Sequence, residues 1–330
     1  MAKFSGRLVR VGLAREAVRG VGEVPDIRLP HTDISFASKI SDVRVGPSLG
    51  RLADSEQHHV LTKYAEGDIS GEVRSHSFGY LLYALSGYCN TTGPTDTAAY
   101  THTFTPLDNS AQHDTLTITV QDENHIVAHE LAALQSLEIE CPLDNVAAYS
   151  SSWMARVQQD STGHNVPAVT NELKFPKNKT TVKLAADIAS LGAASTLCLK
   201  RFRISFNKNL VMDDCLGTIW PDDFLVGSFG IEGEFEIAWT DQTQRDYYLD
   251  GTERSLEFVL TSPSVITGAA TTYSTLTIQL PNVDFFGWEP NRPLDDLSTE
   301  TLSFRANYDV ANSQEIISKL ELIGGKSSYA

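Results

Sequence analysis

Between Phe229 and Trp239 the chain keeps a two-residue period. Phe229, Ile231, Phe235, Ile237 and Trp239 are large and apolar, while Gly230, Glu232, Glu234, Glu236 and Ala238 fall between them. Successive side chains of a strand point to opposite faces, so this spacing puts the apolar set on one side and three glutamates on the other. Such a segment predicts a half-buried strand. Phe202, Ile204 and Phe206 alternate with Arg203 and Ser205, and Leu276, Ile278 and Leu280 with Thr275, Thr277 and Gln279. Leu116, Ile118 and Val120 alternate with threonines, and Leu302, Phe304, Ala306 and Tyr308 with Ser303, Arg305 and Asn307. Many short alternating runs separated by Gly, Pro, Asn and Asp predict antiparallel sheets. Helices are few. His76–Ser86 places Phe78, Leu81, Leu82 and Leu85 at helical spacing ahead of Gly87, and Thr243–Asp250 precedes Gly251. The Gly, Pro and Asp content of 42–66 and 212–226 predicts long loops there.

Three short strings recur in the same order. Ile34-Ser35-Phe36 matches Ile204-Ser205-Phe206, Ile69–Val73 matches Ile231–Phe235, and Thr115–Ile118 matches Thr275–Ile278. Their separations are 170, 162 and 160 residues (Ile34 to Ile204, Ile69 to Ile231, Thr115 to Thr275). Each glycine-glutamate string is followed by a helix segment and then by Gly87 or Gly251. A fixed order of matched strings is the mark of a duplicated fold. The sequence therefore divides into a first unit, 1–165, with an N-terminal arm and the loop 42–66, and a second unit, 166–330. The boundary falls in the loop-like stretch Gln159–Pro167.

A chain of 330 residues suits two such units. No run of about 18 apolar residues occurs, so the sequence predicts no membrane-spanning helix, and its basic start lacks the apolar segment of a cleaved signal peptide. Lys and Arg total 26 against 42 Asp and Glu, a formal charge of −16. That balance argues against gripping nucleic acid, because phosphate neutralisation needs Lys and Arg. The same acidity simply gives solubility in the plain reading; it also suits a surface that DNA passes without adhering. Cys89, Cys141, Cys198 and Cys215 are too scattered for a zinc or redox motif and read as buried free thiols.

The sequence predicts no catalytic, cofactor or metal residues. His125 and His129 would share a face on a helix, but Ile126 stands where a zincin needs Glu, and Ile126 with Val127 favours a strand. His58-His59 has no acidic or thiol ligand at useful spacing, and no Gly-x-Ser-x-Gly, P-loop or dinucleotide fingerprint is present. The glutamate face is the remaining feature. It could bind calcium or supply paired acids, but a solvated acidic face is the simpler reading.

Taken together, these segments resemble the tail tube proteins of long-tailed bacteriophages, in the larger, duplicated form. The resemblance rests on Gly6-Arg7-Leu8, the strand Asp33–Ile40, Gly67–Val73 leading into Phe78–Leu82, Leu199–Ile204, Ile231–Glu234, Leu276–Pro281 and Phe304–Asp309. It implies a mainly β fold of two tandem β-sandwich domains, each flanked by a short helix, whose inner sheets close into a barrel on assembly. It implies a structural, non-enzymatic virion protein, folded in the host cytoplasm, that forms stacked rings around a channel through which DNA is ejected. Two domains per chain imply homotrimeric rings of pseudo-sixfold symmetry, with a homohexamer as the alternative. Other implied partners are a tape measure protein in the lumen, a tail terminator and a distal tail protein, with no membrane, cofactor or specific DNA binding. The bore is expected to be acidic, with Glu72, Glu232, Glu234 and Glu236 as its candidate lining, and the loops 42–66 and 212–226 to make ring-to-ring contacts. Alternative readings are a baseplate hub or contractile-injection inner tube, and a carbohydrate-binding β-sandwich.

Overall fold

The computed structural model describes residues 5–46, 50, 52, 54–108 and 110–329. Among the described residues strands hold 51% and helices 8%, so the chain is mainly β. In chain order the elements are β1 (Arg10–Arg15), β2 (Ile27–Leu29), β3 (Asp33–Ile34), β4 (Ala37–Val45), β5 (Gln57–Glu72), α1 (Phe78–Ser86), β6 (Cys89–Thr92), β7 (Tyr100–Phe104), β8 (Leu116–Gln121), β9 (Ile126–Cys141), β10 (Ala148–Arg156) and β11 (Gln159–Asp160). There follow β12 (Thr180–Ala185), β13 (Leu199–Asn207), β14 (Leu210–Asp213), β15 (Asp223–Val226), β16 (Gly230–Ala238), α2 (Thr243–Leu249), β17 (Arg254–Val265), β18 (Tyr273–Asn291), β19 (Thr299–Asn307) and β20 (Lys319–Gly324).

The alternating runs form strands as their period requires. On β16 Ile231, Phe235 and Ile237 are buried, and on β19 so are Leu302, Phe304 and Ala306. β8 departs from the half-wet pattern. Its Thr117 and Thr119 are buried too; Thr117, with Thr115 just before the strand, donates to the buried carboxylate of Glu16.

Two long strands each serve two sheets. The N-terminal part of β9 pairs with β8 and β11, and its C-terminal part with β10 and β13. The change occurs around Leu131, which takes a left-handed backbone (φ 54°) and donates its N–H to Glu16. Likewise β18 pairs first with β17 and β20 and then with β19.

The result is one continuous antiparallel sheet whose order β3/β4–β5–β10–β9 is followed by β13–β16–β19–β18. Its apolar face is covered by smaller sheets. Phe202 of β13, for example, stacks on Phe258 of β17 at 4.3 Å. The halves also interlock, since β20 near the C-terminus adds to β7 of the first half. Buried side chains from both halves make one main core.

Strand pairing tests the three repeated strings. The middle one is in register. Gly71 lies opposite Tyr149, and Gly233 lies opposite Phe304. In both places an aromatic side chain covers the glycine; a Cβ would stand 2.9 Å from the Tyr149 hydroxyl or 2.4 Å from the Phe304 ring. The first string is shifted by two residues, because Ile34 pairs with Ile69 while Phe206, not Ile204, pairs with Ile231. The third string falls on non-equivalent strands. Thr275–Ile278 lies on β18, the counterpart of β9, whereas Leu116–Ile118 lies on β8, the counterpart of β17.

Both expected loops need correction. Within 42–66, β4 ends at Val45 and β5 begins at Gln57, so most of the described stretch is a β-hairpin; 47–49, 51 and 53 lie outside the described residues. β-Branched Val43, Val45 and Val60 favour extended backbone, and the turn signals at Gly46 and Gly50 mark only the tip. Within 212–226, β14 and β15 form a second hairpin.

Candidate assembly surfaces

Opposed residues of an antiparallel pair share a face, so the polar side of the eight-strand sheet can be read straight across the ladder. One such rung runs Asp33, Ser70, Ser150, Glu138, Ser205, Glu232, Arg305, Asp284, one residue from each of β3, β5, β10, β9, β13, β16, β19 and β18. The acidic residues singled out in the sequence lie on this face. Glu232 pairs with Arg305 at 3.0 Å, and Arg201 reaches Glu140 at 2.9 Å and Glu234 at 3.6 Å. Glu236 stands opposite Arg201 and Thr301. Glu72 holds the first-half place equivalent to Glu234, but pairs with Arg74 at 2.9 Å and Lys174 at 2.8 Å, apart from the second-half glutamates.

Sequence reasoning missed the counter-charges. Arg201, Arg203 and Arg305 interleave with the glutamates on neighbouring strands, so the face is a salt-bridged lattice rather than a uniformly negative one. The signal was present in the alternation of Arg203 with Phe202 and Ile204, but only pairing brings β13 beside β16 and β9. Exposed pairs of this kind contribute roughly 0–1 kcal/mol each, and their main effect is on surface charge.

The sheet has two open edges among the described residues. β4 is exposed along its whole length, with Ile40, Val43 and Val45 in solvent, and pairs only with β5. At the other end, Asp284–Asn291 of β18 has β19 alone as its strand neighbour. An unpaired strand edge presents free N–H and C=O groups to another strand. The β14–β15 hairpin instead folds back on the first half. Lys63 N–H donates to Ile219 O at 2.7 Å, Arg156 donates to Asp222 O at 3.3 Å, and Arg19 pairs with Asp223.

The remaining sequence features do not converge. His129 is buried on β9 beside Arg156 O, whereas His125 pairs with Asp160 at 2.9 Å. His58 pairs with Asp42 at 2.9 Å. Among the described residues no group of three or more His, Cys, Asp or Glu is placed to hold a metal ion, and no helix is long and apolar enough to cross a membrane. All four cysteines are free. Burial pushes the thiols of Cys89 and Cys141 up to about 11 and about 12. Cys198 and Cys215 are exposed, contrary to the expectation of four buried thiols.

No curated protein matches the chain. The phage tail tube protein family does: its profile matches residues 6–306, nearly the whole length. The matched region includes both halves of the eight-strand sheet and both open edges. The chain therefore belongs to the phage tail tube protein family, and it is a structural subunit of the tube in the phage tail.

Proposed function

We propose that three copies close a ring of pseudo-sixfold symmetry, each chain supplying two tube domains, 1–165 and 166–330. The observation that carries this reading is the repeated strand order within one sheet: β9 meets β13 inside the chain in the way that β18 would meet β3 and β4 of the next copy. Eight strands from each of three chains make a barrel of 24. Six chains would double that number, and barrel diameter grows roughly linearly with strand count. Closure removes both open edges. The polar face lines the bore, where Glu72, Glu232, Glu234 and Glu236 add negative charge among arginines, and DNA passes without specific binding. Rings stack through the exposed β4–β5 hairpin. A tape measure protein fills the lumen before DNA does, and a terminator and a distal tail protein close the ends. The protein assembles in the host cytoplasm, turns over no substrate and needs no metal, so dialysis against EDTA leaves assembly unchanged.

A cryo-electron microscopy map of tubes grown from the purified protein tests the symmetry. Threefold averaging should separate the two halves of each chain by their hairpins. A map with one full chain per sixth of the ring would establish the homohexamer instead.

A further inference from the structure

The polar rung that crosses the eight-strand sheet begins at Asp33 on one open edge and ends at Asp284 on the other. Both carboxylates lie on the same face. Ser205 is the internal counterpart of Asp33, because Asp33 stands opposite Ser70 and Ser205 opposite Glu232 in equivalent places on β5 and β16. Glu138 is likewise the counterpart of Asp284, standing one strand beyond Ser150 as Asp284 stands one strand beyond Arg305.

At the joint inside the chain, then, a carboxylate meets a neutral hydroxyl: Ser205 faces Glu138. That joint is also tied by Arg203 to Glu138 and by Arg201 to Glu140. The outer edges have neither device. Two residues before Asp33 comes His31, where Arg203 precedes Ser205. Desolvation by burial lowers the pKa of His31, so it brings no cation at neutral pH. Arg305, next to Asp284, is turned to Glu232 at 3.0 Å and lies over the Phe286 ring, and Asp284 accepts from Asn307 at 2.6 Å. Asp33 is exposed, and among the described residues its carboxylate accepts only from its neighbour Ile34 N–H, at 2.9 Å.

We propose that docking of a second copy, the closure required by the ring reading on which this inference rests, brings Asp284 of one chain against Asp33 of the next. This like-charge contact holds the free chain back from ring closure at low ionic strength. Like charges directly opposite on paired strands oppose pairing, and salt screens exposed charges within about 10 Å at roughly 0.1 M. The joint inside the chain needs no such restraint, because the chain itself holds its two strands together.

Charge reversal tests this, with ring formation followed by sedimentation velocity and negative stain at about 50 mM and about 500 mM NaCl. Asp33→Lys and Asp284→Lys should each lower the concentration at which rings form at low salt, by roughly 1.5- to 5-fold for each joint in the ring. The Asp33→Lys/Asp284→Lys double variant restores like charges and should return towards wild type. At high salt the four proteins should converge. Circular dichroism confirms folding, and Asp33→Asn and Asp284→Asn give a milder form of the same shift. Single reversals that assemble as wild type does at low salt would overturn the gating contact while leaving the ring intact. Failure of wild type to form rings at any salt would overturn the ring reading itself.

Discussion

Helices α1 and α2 each follow the glycine-glutamate strand of their own half, yet all nine residues of α1 are buried and no residue of α2 is. The difference lies in what the other half contributes. Lys208, just beyond β13, donates its ammonium to Ala84 O at 2.7 Å, meeting one of the carbonyls left open at the end of α1. From the C-terminal segment, Tyr329 lies on Gly79, donates to His76 O at 2.8 Å, and meets the Tyr80 ring edge-on at 5.4 Å. Among the described residues α2 packs against its own half: Tyr247 stacks on Phe285 at 6.2 Å, and the Arg254 guanidinium lies over the Tyr247 ring at 4.2 Å. Two helices at equivalent chain positions thus differ in burial because Lys208 and Tyr329 of the second half pack on α1, while among the described residues α2 has no such cover.

The largest expected effect lies at the Tyr329 socket. Tyr329→Ala should cost about 3–5 kcal/mol in urea denaturation, as removal of a buried aromatic side chain does. Gly79→Ala puts a methyl 2.1 Å from the Tyr329 ring and should cost about 1–3 kcal/mol by overpacking. In the Tyr329→Ala background the same methyl should be tolerated. A loss below about 1 kcal/mol for Tyr329→Ala would break the comparison, since α1 would then stand without the C-terminal segment.

Lys208 gives a smaller, pH-dependent effect. Burial, with Arg19 nearby, holds its ammonium down to about 7 from the ordinary 10.5. Between those values the unfolded chain binds a proton that the folded chain does not, so stability should rise with pH across that window. Below pH 7 both states are protonated and this contribution is flat. Lys208→Met should remove this contribution to the slope between pH 7 and 10.5, read from urea midpoints as a difference from wild type, and hydrogen exchange should place the change at α1 rather than α2. An unchanged slope would show that Lys208 is not held neutral.

On α2 the expectation is near silence. Leu249 is 64% exposed, and Leu249→Ser in the free chain should change stability by no more than about 0.5 kcal/mol. A loss above 1 kcal/mol would mean that α2 is packed after all.

Much of this was legible from residues alone. The two-residue period at 229–239 places β16, and the glycine-glutamate strings at Ile69 and Ile231 mark structurally equivalent strands in the two halves. Each depends on local stereochemistry: alternation fixes which side chains share a face, and Gly87 supplies the left-handed turn (φ 78°) that ends α1. The matches at Thr115 and Ile34 misled because a string of alternating Thr and Leu fits either strand of a hairpin, and a shift of two residues preserves the face. Tertiary structure alone decided which strands became neighbours, and with that the pairing of Arg203 with Glu138, the burial of Lys208, and the arrival of Asp33 and Asp284 on one rung at opposite edges. A side-chain period acts over a few residues, whereas the bonds from Arg203 to Glu138 and from Tyr329 to His76 join positions 65 and 253 residues apart. Only the pairing of whole strands sets them.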